Sequence, residues 1–159
     1  MERTEMPERN ATFLRFGGEE TLIADYRWWS VQARPQQATL GALILLAHGP
    51  AQSFADLPPE AYAELHRITG DIEASVARFG NRKINYLMLM MVDPHVHFHV
   101  LPRYPEPVSF DGIVFADPGW PGPPALGHAP EAPDAAARVR AVLAGDWSGR
   151  AGQSNFRKS

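Results

Sequence analysis

His95-Val96-His97-Phe98-His99-Val100-Leu101-Pro102-Arg103 is the stretch on which the reading of this chain turns. Polar and apolar residues alternate along it. Side chains of a β-strand repeat every second residue, so an extended 95–101 sets three imidazoles on one face. Val96, Phe98 and Val100 then face the other way, into a core. Same-face neighbours stand roughly 6.5–7 Å apart along a strand. Three polar rings on a strand otherwise suited to burial are costly without partners, so the row marks a site.

Working outward, Lys83 to Val92 reads as the preceding strand, apolar on both faces and so expected at the centre of a sheet. Asp93-Pro94 makes a tight connection from it into the histidine strand. Further back, Asp56 to Phe79 is the clearest helix, with Asp56 expected as N-cap and Pro58 and Pro59 in the first turn. Tyr62, Leu65, Thr69, Ile72, Val76 and Phe79 recur at helical spacing as its inward stripe, and Gly80-Asn81 stops it. Leu43 to Ala47 is a short, wholly apolar strand suited to burial on both faces, ended by His48-Gly49-Pro50. Thr21 to Ala24 and Trp28 to Ala33 read as two strands or one bent ribbon, ended at Arg34-Pro35. Downstream, Tyr104 to Pro130 is rich in proline and glycine and reads as an irregular flap anchored by Phe110, Ile113, Phe115 and Trp120. Pro133 to Leu143 is a plausible short helix, and residues 146–159 are expected to form a mobile tail.

An anionic phosphate suits a row of imidazoles. Imidazole attacks phosphorus, donates hydrogen bonds to phosphate oxygens and hands a proton to a leaving oxygen. One ring cannot hold all these roles, and a row divides them. His97, flanked on both sides, is the candidate nucleophile. Its other ring nitrogen must be held as a donor so that the attacking nitrogen keeps its lone pair, and a backbone carbonyl is the simplest acceptor. His95 and His99 are then candidates to bind phosphate oxygens and assist the leaving group. His-x-His on a strand also suits a metal ion. No carboxylate completes a ligand set, so no metal ligand is assigned. A non-catalytic nucleotide- or metal-binding protein using the same row is the alternative reading, and a set of satisfied structural histidines is the blandest.

Residues 95 to 101 match the motif His-φ-His-φ-His-φ-φ, with φ apolar, and here the chain resembles the histidine triad (HIT) family. Leu101-Pro102-Arg103 is similar to the continuation in the fragile histidine triad branch and in bacterial relatives. The resemblance extends over roughly residues 20–125 through the order of ribbon, proline turn, apolar strand, helix and two strands. It implies an α+β fold: an antiparallel sheet of about five strands with one long helix across it and a short C-terminal helix, in a single domain over 1–145. It implies a hydrolase or transferase that cleaves a nucleoside 5′-phosphoryl bond of a dinucleoside polyphosphate or nucleoside phosphoramidate through a covalent nucleotidyl-His97 intermediate. It implies a homodimer with joined sheets and no cofactor for the covalent step, with Mg2+ accompanying polyphosphate substrates. Gln32, three residues before the turn proline, stands where the family has a ribose-contacting Asn or Asp. Arg103 is a candidate to attract phosphate. The family's Gly-rich hairpin with its glutamine is replaced by Met90-Met91-Val92-Asp93-Pro94, which leaves that phosphate contact without a counterpart.

Composition narrows the classes. The 159 residues carry 18 acidic and 15 basic side chains, a formal net charge of −3. That length fits one domain. The balance excludes binding of a nucleic-acid polymer by bulk electrostatics. With no cysteine, there is neither a disulfide nor a thiolate nucleophile. Met1 to Asn10 shows no apolar signal core, and the longest apolar run, Tyr86 to Val92, is too short to span a membrane. The expectation is a cytoplasmic protein.

Overall fold

The computed structural model describes residues 7–149. Its main sheet has five strands: β1 (Leu22–Asp25), β2 (Trp29–Ala33), β3 (Leu43–Ala47), β4 (Lys83–Leu87) and β5 (His97–Arg103). Their order is β1-β2-β3-β5-β4, and every neighbouring pair is antiparallel. A two-stranded ribbon, β6 (Val108–Phe110) and β7 (Ile113–Phe115), stands apart from it. Among the described residues there are three α-helices: α1 (Ala11–Arg15), α2 (Pro59–Val76) and α3 (Ala135–Gly145). The α+β architecture is the expected one.

The sheet register decides which residues share a face, because directly opposed residues of an antiparallel pair point the same way. Leu46 lies opposite His97, Ile44 opposite His99, and Gln32 opposite Ile44. This face carries the histidines. The other presents Trp29, Val31, Leu43, Leu45 and Val100 to Ala61, Ile68, Ile72 and Val76 of α2 and to Val139 and Leu143 of α3. The Trp29 indole Nε1 donates to the Ala61 carbonyl at 2.8 Å and ties helix to sheet. On the histidine face, Phe13 of α1 closes over Ile44 and Leu46. Strand β3 is therefore buried from both sides, which explains why none of its five side chains is polar.

Several expectations need correction. Helix α2 begins at Pro59, with Pro58 at the cap position, because a residue before proline is driven out of helical geometry; Pro58 has ψ 158° and Asp56 makes no cap. The buried stripe runs through Ala61, Ile68, Ile72, Ser75 and Val76, so Tyr62 faces out and donates its hydroxyl to the Phe54 carbonyl. The strand expected to reach Val92 stops at Leu87. It lies at the sheet edge, not the centre, and Met90 turns the chain away with φ +56°. The flap contains a regular hairpin whose turn, Asp111-Gly112, has positive φ at both residues. The start of the expected tail is anchored: Trp147 is buried and donates Nε1 to Tyr26 Oη at 2.8 Å. Tyr26 in turn donates to Asp71. Residues 150–159 lie outside the described residues, as do residues 1–6 of the polar N-terminal stretch. Pro7 to Asn10 is held in place. Asn10 caps α1 by accepting from Phe13 N, while its Nδ2 donates to the Ala47 and Gly49 carbonyls.

Candidate functional site

Strand β5 starts at His97, so His95 lies two residues before it and only His97 and His99 occupy the strand itself. All three rings nevertheless gather on the face under the α1 segment. His95 Nδ1 stands 2.8 Å from Thr12 Oγ1. The Phe16 ring lies 5.4 Å from that of His97 and 5.9 Å from that of His99, and these two imidazoles are 5.1 Å apart. Val96 and Val100 are buried in the opposite core, as alternation requires.

The central ring has a defined proton. His97 Nδ1 is 2.7 Å from the carbonyl oxygen of His95. A carbonyl only accepts, so Nδ1 carries the hydrogen, and in the neutral ring Nε2 is the nitrogen that keeps its lone pair. The turn that carries His95 out of the strand makes this contact possible, since it brings the carbonyl of residue 95 beside the ring two residues on. His97 is 1% exposed. A phosphoryl group therefore reaches Nε2 only when the side chains over it, Phe16 among them, move aside.

His99 has a cationic neighbour. Arg34 Nε lies 3.1 Å from His99 Nδ1, and Arg34 Nη1 donates to the carbonyls of Gln36 and Leu126. Burial, with the charge of Arg34 and the proximity of His97, pushes the His99 imidazole down to about 4, against a weaker opposing pull from Asp93. His99 is therefore neutral at pH 7.

The other sequence candidates are placed differently. Gln32 is on the histidine face but fully buried, and its Nε2 donates to the Phe13 and Gly18 carbonyls and to Thr21 Oγ1. Its Oε1 has no hydrogen-bond partner. Arg103 does not stand free to attract phosphate. It is buried, with Nε and Nη2 gripping both oxygens of Asp117 at 2.7 and 3.0 Å and Nη1 donating to Asn85 at 2.6 Å. Asp117 Oδ2 also accepts from the Tyr104 amide, so the cluster fixes the segment after β7 to the end of β5. His48 is a strand-end histidine, with Nε2 3.2 Å from the Tyr26 carbonyl and 3.3 Å from Asp25 Oδ1. Among the described residues, no group of three His, Asp or Glu side chains is placed to hold a metal ion.

Sequence reasoning missed Thr12, Phe16 and Arg34. Asn10 followed by Thr12-Phe13 and Phe16 carries a short helix signal, an Asn cap before apolar residues three apart. It was obscured by the charged residues around it. Arg34 was visible only as the residue before a proline.

No protein-family model and no curated protein matches the chain. Solved structures do. It is similar to a histidine triad protein from Marinobacter aquaeolei, with 22% identity and a TM-score of 0.64 over 87% of this chain and 93% of that one. A histidine triad protein from Sinorhizobium meliloti is 22% identical, with a TM-score of 0.63 over 84% and 92%. A protein from Sulfolobus tokodaii, described as a hypothetical histidine triad nucleotide-binding protein, is 10% identical, with a TM-score of 0.58 over 84% and 87%.

Proposed function

From the shared fold of the histidine triad proteins, we propose that the chain is a nucleotide hydrolase or transferase that works through a covalent nucleotidyl-His97 intermediate. The observation that carries this reading is the His97 Nδ1–His95 carbonyl contact of 2.7 Å, which makes Nε2 the nucleophilic nitrogen of the neutral ring in the middle of the row. Nε2 attacks the α-phosphorus of a dinucleoside polyphosphate or nucleoside phosphoramidate. A P–N bond to His97 forms as the P–O or P–N bond to the leaving group breaks, and the leaving group takes up a proton supplied from the flanking imidazoles or water. A water molecule then attacks phosphorus, breaks the P–N bond and releases the nucleoside monophosphate. His95 and His99 hold the non-bridging oxygens. The unpaired Oε1 of Gln32 is an acceptor on the same face that suits a ribose hydroxyl once the segment above it opens. Mg2+ enters this reading only as the companion of a polyphosphate substrate, and the cytoplasm is its compartment.

We also propose the homodimer. Among the described residues, strand β4 ends the sheet with an unpaired edge, and the chain beyond it exposes Leu89, Met91 at 88% and Val92. An edge followed by exposed apolar side chains suits pairing with a second copy. No described helix is long and apolar enough to cross a membrane.

The test is anion-exchange analysis of dinucleoside polyphosphates and adenosine phosphoramidate incubated with the protein. Nucleoside monophosphate should accumulate with the natural chain and not with His97→Ala, which should still bind nucleotide. Equal turnover by His97→Ala overturns the assignment. Binding without turnover by the natural chain moves the case to a nucleotide-binding protein.

A further inference from the structure

We propose that Arg34 is a positioning residue that holds His99 as a hydrogen-bond donor toward the bound phosphoryl group. Arginine has donors only and does not lose its proton in a protein. Its Nε–H points at His99 Nδ1 from 3.1 Å, so Nδ1 must offer a lone pair and the ring hydrogen must sit on Nε2. The guanidinium cannot drift, because Nη1 is fixed to the Gln36 carbonyl at 2.8 Å and the Leu126 carbonyl at 3.3 Å. Arg34 is itself anchored where β2 ends, its amide donating to the Ala42 carbonyl just before β3 begins.

The consequence is a pair of adjacent rings in opposite tautomers. The carbonyl of His95 selects the neutral His97 tautomer with a bare Nε2, and Arg34 leaves His99 with a protonated one. One ring attacks phosphorus and its neighbour donates to a phosphoryl oxygen, with no proton exchange needed to set the roles. The groups facing His99 are Arg34 from the end of β2, His97 on its own strand, Asp93 from the loop before it and the Phe16 ring beyond α1. Arg34 and His97 disfavour the protonated ring, and Asp93 favours it. Loss of the Arg34 charge should therefore let His99 take up a second proton at higher pH.

The donor role rests on the phosphoryl-transfer reading of the site, whereas the tautomer can be read without turnover. The experiment is 15N NMR of the histidine-labelled full chain from pH 5 to 8, assigned with His99→Asn, with and without AMP. The natural chain should show His99 with a bare Nδ1 and a protonated Nε2, and AMP should shift that Nε2. Arg34→Met should give mixed tautomers, protonation at higher pH and a smaller AMP shift. Its kcat should fall about tenfold, short of the 10²–10⁴ that a positioned proton donor supplies because the His99 ring itself remains, with KM changed far less. Arg34→Gln places an amide N–H the same number of bonds from the backbone as the arginine Nε–H. It should restore the tautomer without restoring the charge. A protonated Nδ1 in the natural chain overturns the proposal, and so does an Nε2 that AMP does not move. If the spectra behave as stated and no nucleotide is turned over, the enzymatic reading fails while the role of Arg34 toward a bound phosphoryl group stands.

Discussion

Thr12 of α1 reaches down to His95, its Oγ1 2.8 Å from the imidazole Nδ1, so the first ring of the row is held by a helix that belongs to no strand. His95 has left β5, and the strand's own alternation no longer orients it. Thr12→Val keeps the shape and removes the hydroxyl. The cost to stability is about 1 kcal/mol, that of one hydrogen bond. The expected effect on turnover is larger, a several-fold drop in kcat as His95 loses its fixed orientation. Parallel thermal melts and steady-state kinetics check both. Unchanged kcat would show that His95 does not need this hold.

Arg103 offers a choice between two roles that kinetics and denaturation separate. As a phosphate ligand its loss would raise KM and spare stability. Its guanidinium is instead occupied by Asp117 and Asn85 in a buried cluster. Arg103→Met leaves the Asp117 carboxylate buried without its cation. Breaking such a pair costs about 3–5 kcal/mol. Urea denaturation should show a loss of that order, while the KM of the remaining folded protein changes little.

The parts of this fold that could be read beforehand are those where the local pattern and the tertiary environment agree. Strand β3 is apolar at every position because both its faces are covered, and Gly80 closes the helical stretch with φ +81°. The shared face of His97 and His99 was legible because alternation on one strand needs no knowledge of partners, whereas the turn that takes His95 out of β5 was not. Failures fall where an apolar run has two explanations. Leu87 to Val92 looks like the continuation of a buried strand. Beyond Leu87 the chain leaves the strand and exposes Leu89, Met91 and Val92, and periodicity cannot distinguish an apolar surface from a core. Phe110-Asp111-Gly112-Ile113 carried a hairpin signal that the surrounding prolines masked. Arg34, Thr12 and Asp117 were hidden for a different reason. Arg34 and Thr12 act through pairings across 65 and 83 residues, which no local window contains, and the Asp117 pairing with Arg103 across 14 residues follows no periodic pattern.

Trp147 shows the same limit at the other end of the chain. Its indole is buried beside Tyr26, and the Ser148 amide donates to Ser75 of α2. Trp147→Ala removes that plug and the hydrogen bond to Tyr26. The expected loss is about 3–5 kcal/mol, the range for a buried tryptophan cut to alanine. Chemical denaturation followed by far-UV circular dichroism measures it. A loss under about 0.5 kcal/mol, the range of ordinary surface substitutions, would return Trp147 to a mobile tail.

The pH dependence of stability carries the signature of His99. Its ordinary value of 6.5 is pushed down to about 4 by burial, by Arg34 and by His97. The unfolded chain therefore binds a proton at this residue between pH 6.5 and about 4 while the folded protein does not. Stability rises with pH wherever the unfolded state holds more protons. The contribution of a neutral His99 is thus fully present above pH 6.5 and is lost as pH falls toward 4. His99→Asn removes the titrating group. Unfolding free energies measured by urea at pH 7.5, 6, 5 and 4 should decline less steeply for this variant than for the natural chain, the difference opening below pH 6.5. Parallel curves would mean that His99 titrates alike in the folded and unfolded states and that Arg34 does not bear on its charge.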